Sequence, residues 1–203
     1  HILYLQNCEF SDMLAFGLIF AHLPDDSVLH LSNSSPVRYA QLFQGKSSLL
    51  YLSNRGTSGI DGVLSSAAGY AFLSSRINTV IIGDLAFFYD SNALWNRHLP
   101  PNLRVIIINN GGGGIFRLID GPAEKSLLEE HFEARHAMQA APLVQAYGLE
   151  CFVAENEKEL EAGLQELYKD SRGKAAVLEI RTPGPQNAEI FQKYFHYIRG
   201  QEK

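Results

Sequence analysis

Two short runs of mostly β-branched residues, Thr79-Val80-Ile81-Ile82 and Val105-Ile106-Ile107-Ile108, constrain this chain more than any other feature. Neither alternates with polar residues, so neither suits a sheet with one wet face. Short unbroken apolar runs of this kind belong to parallel strands covered on both sides. Each run stops on a polar pair, Gly83-Asp84 in the first case and Asn109-Asn110 in the second. In an open α/β sheet, ligands bind in the crevice beyond the carboxyl ends of the strands. An acid and an amide at two such ends can converge on one hard cation; Mg²⁺ takes oxygen ligands and commonly shares itself with phosphates. On the residues alone, the two pairs read as a metal–diphosphate site.

The rest of the sequence alternates between strand and helix patterns. Strands are predicted at 28–31, 49–52, 79–82, 103–108 and 175–180. Helices are predicted at 11–23, 34–43, 62–73, 90–97, 140–147, 157–169 and 187–197. Residues 115–129 show no period and are expected to form a mobile loop. Strands alternating with helices imply βαβ units and a parallel sheet. The expected fold is α/β, a parallel sheet of about six strands with helices on both faces, in a single domain over 1–203.

Composition narrows the function classes. A chain of 203 residues, 46% hydrophobic and 19% charged, is an ordinary globular one, and a net charge of −5 without a basic cluster argues against a nucleic-acid surface. No run of ~18 apolar residues exists to span a membrane. Cys8 and Cys151 form neither a CxxC nor a disulfide framework. A reducing, cytoplasmic compartment is the expectation. Because the sequence starts on His1 and not on Met, it is expected to be a fragment of a longer chain.

Gly83-Asp84, a spacer, and then Asn109-Asn110 resembles the cofactor motif of thiamine-diphosphate-dependent enzymes, with Leu85 where the family's usual third glycine stands. Two further stretches, residues 53–62 (SNRGTSGIDG) and 110–116 (NGGGGIF), resemble the C-terminal, diphosphate-binding domain of the family's menaquinone-biosynthesis carboligases. The resemblance runs from about Cys8 to about Arg181. It implies thiamine diphosphate and Mg²⁺ (or Mn²⁺) as cofactors, with Asp84, the side-chain oxygen of Asn110 and the carbonyl of Gly112 on the metal. Backbone N–H groups of Gly83, Asp84, Leu85 and Ala86 would meet the diphosphate. The Ser58 carbonyl and the Ile60 N–H, joined by Gly59, would hold the pyrimidine edge, and Ile60 would wedge between the two cofactor rings.

The same resemblance implies decarboxylation of 2-oxoglutarate and transfer of the succinyl unit to isochorismate. Both substrates are anionic, and Arg binds carboxylates bidentately while staying charged. Arg38 and Arg55 match the substrate-binding arginines, Ser34 a hydroxyl donor, and Phe116 and Ile119 apolar lining. The family's activating glutamate lies on a pyrimidine-binding domain, in the same or a partner chain, and has no counterpart here. This chain is therefore expected to carry no catalytic residue and to be inactive alone, with a homodimer or homotetramer as the full-length state.

Each feature has a blander reading beside the functional one. Gly-Asp after a strand is also a common helix start. The glycine run is also a flexible loop, although it lacks the Lys-Ser/Thr of a P-loop. Ser58-Gly59 is also a plain turn, and Arg38 and Arg55 are also surface charges. A second reading of the whole is the corresponding domain or subunit of another thiamine-diphosphate-dependent 2-oxoacid decarboxylase. A third is a noncatalytic nucleotide- or effector-binding module on the same sheet. The histidines, His136 among them, show no HxH or HExxH spacing and are assigned no catalytic part.

Overall fold

A computed structural model of the chain describes residues 2–117, 131–169 and 173–201. Six strands form one sheet: β1 (Val28–Leu31), β2 (Leu50–Ser53), β3 (Asn78–Gly83), β4 (Leu103–Asn109), β5 (Glu150–Ala154) and β6 (Ala176–Arg181). Their order is β2-β1-β3-β4-β6-β5, and every neighbouring pair is parallel. The helices are α1 (Ile2–Leu5), α2 (Asp12–His22), α3 (Ser35–Ala40), α4 (Val63–Leu73), α5 (Asp84–Asp90), α6 (Ala140–Ala146), α7 (Glu157–Leu167) and α8 (Gly184–Gln201). This is the α/β parallel sheet the sequence predicts.

The unbroken apolar runs are explained by the register. Leu31, Ile81, Ile106 and Leu178 are neighbours across four strands and face a core shared with α2, α3, α7 and α8. One residue back along the same strands, Val80, Val105 and Val177 face a second core, under α4, α5 and α6. Successive strand residues point to opposite faces, so both alternations must be apolar. Each such side chain contributes on the order of 1.5–3 kcal/mol by burial.

Three expectations need correcting. The helix predicted at 90–97 is α5, starting at Asp84, followed by a 3-10 turn over Ser91–Trp95. Its run Leu85-Ala86-Phe87-Phe88-Tyr89 hides any helical period, yet Ala86 and Phe87 are buried. The sixth strand, β5, was not predicted at any position. It is an edge strand in which only Ala154 is fully buried, and its short apolar run, Cys151-Phe152-Val153-Ala154, holds a single β-branched residue. The last helix starts at Gly184 and runs to Gln201, longer than 187–197. Gly114–Arg117 form a short 3-10 turn, and the remainder of the expected loop, with Ile119, lies outside the described residues.

The chain leaves β1 toward β2 on one side, and β3 toward β4 on the other. The loops after β1 and β3 therefore diverge at adjacent strand ends, which is where α/β sheets open a crevice.

Candidate functional site

The crevice is a cavity of about 290 Å³. Residues 33–36 after β1, residues 83–86 after β3, and Asn110 with residues 112–116 after β4 form its walls, with Asp12, Phe16, Ile60, Phe132 and Ala134. A larger open groove, of about 810 Å³, lies between α4 and the Ser91–Trp95 turn, lined by Phe72, Leu73 and Trp95 among others. It holds no carboxylate among its described lining residues, so the smaller cavity is the better site for charged chemistry.

Asp84 is one of two buried acids among the described residues of the cavity wall, 2% exposed, the other being Asp12. Its Oδ1 accepts the Leu85 N–H at 2.7 Å, and its Oδ2 accepts the N–H groups of Gly111 and Gly112, each at 2.9 Å. The glycines make this fold-over possible. Gly112 has a φ of +146°, and a Cβ there would stand 2.6 Å from the Glu133 carbonyl oxygen. Burial pushes the Asp84 carboxyl up, opposed by the Leu85 N–H, His136 and the Gly112 and Gly111 N–H groups. A cation at the carboxylate would add to the opposing side.

Asn110 donates its Nδ2 to Asp12 Oδ2 at 2.9 Å. That bond turns the amide oxygen away from α2. Asp84, Asn110 and Gly112 thus line one cavity, where a carboxylate, an amide oxygen and a backbone carbonyl are the oxygens they have to offer, the carbonyl now accepting the Gly114 N–H at 2.9 Å. This all-oxygen set, with a single formal charge, fits a hard divalent cation that completes its shell on phosphate. Among the described residues no cluster of three His, Cys, Asp or Glu could hold a metal by itself, so the set depends on such sharing. Behind Asn110, burial pushes the Asp12 carboxyl up to about 6, against Thr182 and Asn110 and with Asp84 adding to the rise.

The loop after β2 is tied to the end of β1 by Asn33. Its Nδ2 donates to the carbonyls of Asn54 at 2.8 Å and Gly59 at 2.6 Å, and its Oδ1 accepts from Arg55 Nη1 at 2.8 Å. This holds half-buried Ile60 in the cavity wall, whereas Ser58, which is exposed, and Gly59 do not line the cavity. Ser34, Ser58 and Ala134 all have left-handed φ, at 72°, 57° and 46°. Such backbone costs about 1–3 kcal/mol each for a non-glycine residue and collects at functional sites. Ser34 and Phe116 line the cavity, but Arg38 and Arg55 do not. Arg38 Nη1 donates to the Ser34 carbonyl at 2.8 Å, and Arg55 is exposed, its guanidinium turned to Asn33.

Four residues that the motifs did not announce belong to this site. Asp12 and Phe16 come from α2, far from the glycine loop in sequence, and Asp12 reads there only as a first-turn acid. Asn33 could have been found as another polar residue beyond a strand end. His136 places Nε2 3.4 Å from Asp84 Oδ2, and its Nδ1 accepts the Met138 N–H at 3.1 Å. No spacing signal marks it, because backbone pairing of His136 N–H with the Gly111 carbonyl, at 3.2 Å, brings it there.

The family described as "Thiamine pyrophosphate enzyme, C-terminal TPP binding domain" matches residues 34–180. The chain is similar to curated proteins named 2-succinyl-5-enolpyruvyl-6-hydroxy-3-cyclohexene-1-carboxylate synthase. The Christiangramia forsetii protein is 44% identical over 97% of this chain and 34% of its own length. The Porphyromonas gingivalis protein is 41% identical over 99% of this chain and 35% of its own length. The Bacteroides thetaiotaomicron protein is 38% identical over 94% of this chain and 34% of its own length. The chain thus spans about a third of the length of these relatives.

Proposed function

Because the chain belongs to the family of C-terminal, thiamine-pyrophosphate-binding domains of thiamine pyrophosphate enzymes, we propose that it is the diphosphate-binding domain of a menaquinone-biosynthesis carboligase. Such an enzyme decarboxylates 2-oxoglutarate and adds the succinyl unit to isochorismate. The observation that carries the reading is the convergence of Asp84, Asn110 and Gly112 on the cavity that Ile60 and Phe116 also wall. The names of the relatives support the substrate pair.

When bound, thiamine diphosphate supplies the nucleophilic carbon and the electron sink on which a 2-oxoacid loses CO₂. The chain's own part is to hold and shape. Asp84, the Asn110 oxygen and the Gly112 carbonyl, which now accepts the Gly114 N–H, would hold Mg²⁺ or Mn²⁺. Backbone N–H groups of residues 83–86 would meet phosphate oxygens, and the glycine loop, with no Cβ in the way, would let the backbone come close to them. Ile60 would pack against the cofactor rings, and the Ser58 carbonyl with the Ile60 N–H would hold its pyrimidine edge. Ser34, Arg38, Arg55, Phe116 and Ile119 receive the substrates. Both arginines must leave or share their present partners, the Ser34 carbonyl and Asn33, to do so. The activating glutamate comes from a pyrimidine-binding domain of the same or a partner chain, in a homodimer or homotetramer.

The test is CO₂ release from 2-oxoglutarate by the full-length protein with thiamine diphosphate and Mg²⁺, with and without isochorismate. Release that is fast only with isochorismate is the expected result. Release from pyruvate, indifferent to isochorismate, would move the chain to a 2-oxoacid decarboxylase.

A further inference from the structure

The first turn of α2 holds a charge that the helix does not need. Ser11 already caps α2, its Oγ accepting the Leu14 N–H at 3.4 Å. The next residue, Asp12, is only 1% exposed and sends its carboxylate across to the ends of β4 and β6. Asp12 Oδ1 accepts from Thr182 Oγ1 at 2.6 Å, and Oδ2 accepts from Asn110 Nδ2 at 2.9 Å. The Asp12 N–H donates to Asn187 Oδ1 at 2.8 Å, and Asn187 Nδ2 donates to Thr182 Oγ1 at 3.1 Å.

The direction of this network is forced from one end. A backbone N–H can only donate, so the Asn187 oxygen faces Asp12 and its nitrogen faces Thr182. The Thr182 hydroxyl, already accepting, gives its proton to Asp12. An ionised carboxylate only accepts, so Asn110 must turn its nitrogen to Asp12 and its oxygen elsewhere. Isolated amides have no such preference between their two ends. Groups behind a ligand commonly fix its orientation in this way.

We propose that Asp12 is a positioning residue: buried behind Asn110, it fixes that amide so its oxygen faces the cation. The inference rests on the reading of Asp84, Asn110 and Gly112 as the cation site. An Asp12→Asn side chain of the same shape can donate as well as accept. Asn110 can then flip, offering its NH₂ to the cavity, with every buried bond kept. Thr182→Val does the opposite. It removes a donor from Asp12 and weakens the packing of β6 on α2, yet leaves the carboxylate's hold on Asn110.

The experiment follows Mn²⁺ binding to the full-length protein in saturating thiamine diphosphate, by electron paramagnetic resonance of the free ion, beside apo unfolding midpoints. Asp12→Asn is expected to bind Mn²⁺ about tenfold or more weakly without a lower apo midpoint. Thr182→Val is expected to lower the midpoint while holding affinity within about twofold. The exchanged pair Asp12→Asn/Asn110→Asp, which again presents an oxygen to the cation, is expected to recover most of the lost affinity. That pair also decides the matter if Asp12→Asn alone does not fold. Unchanged affinity in Asp12→Asn, equal losses in Thr182→Val, or no recovery in the exchanged pair overturns the proposal. Mn²⁺ binding indifferent to Asp84→Asn overturns the cation site itself, and the role of Asp12 with it.

Discussion

Glu179 ends up inside the sheet with no exposed surface, and its carboxylate is met by four donors. Asn109 Nδ2 lies at 2.7 Å, the N–H groups of Ala140 and Ala141 at 2.9 and 3.0 Å, and Arg181 Nη2 at 3.0 Å. Burial alone would raise this carboxyl; Arg181, the Ala140 N–H, Asn109 and the Ala141 N–H outweigh it and hold it below the ordinary range. A depressed acid contributes stability above its unfolded pKa of about 4.3, and that contribution is lost as pH falls through its folded value. Glu179→Gln is expected to cost about 1.5–3 kcal/mol at neutral pH, as for a lost charged hydrogen bond, and to flatten the acid limb of the stability–pH curve. Urea titrations across pH 3–7 check it, and an unaltered acid limb would show that Glu179 is not its source. Legibility differed among residues for a physical reason. Asp84 and Asn110 were readable because strand ends in a parallel sheet share one crevice. Asp12, His136 and Glu179 were not, since each meets its partners through packing between distant segments, which no local pattern encodes.

At the scale of elements, Gly184 decides how α8 docks. An ideal Cβ at this position would overlap the backbone carbonyl oxygen of Asn110. As Gly184 begins the helix, alanine gains little from helix propensity there, and the added methyl must push the helix start away from the end of β4. Gly184→Ala is expected to destabilise by about 1–3 kcal/mol, the scale of overpacking against backbone. Chemical unfolding reads this directly, and a variant as stable as the parent would mean the helix start shifts freely. The same element shows where sequence reading stops. The core strands β3 and β4 were found because both of their faces are apolar. Edge strand β5 was missed because its short Cys151-Phe152-Val153-Ala154 run holds a single β-branched residue, and α5 was displaced because consecutive aromatic residues carry no 3.6-residue period. Helix α7, with clear apolar spacing, and α2, apolar almost throughout and opened by Ser11, fell within a residue or two of expectation.

Across the whole molecule, one sheet separates two apolar cores, and the cavity is where their covering helices part. Its walls come from the ends of β1, β3 and β4 and from α2, elements that span both cores. A ligand held there bridges segments that unfolding would pull apart, so binding adds to global stability by mass action. For a ligand present at 100 times its dissociation constant the gain is about 2.7 kcal/mol. Thiamine diphosphate with Mg²⁺ is therefore expected to raise the unfolding midpoint of the full-length protein. Either component alone should do much less, because Asp84, Asn110 and Gly112 together offer the cation a single charge and need phosphate oxygens to complete its shell. Chelation should return the midpoint to its apo value, and Asp84→Asn should abolish the response while leaving the cores untouched. Thermal scans with each component alone and in combination separate these cases. A midpoint raised equally by thiamine diphosphate in excess chelator would place the binding energy on the rings and loops around Ile60, and leave Asp84 as no more than the acid that pins the glycine loop.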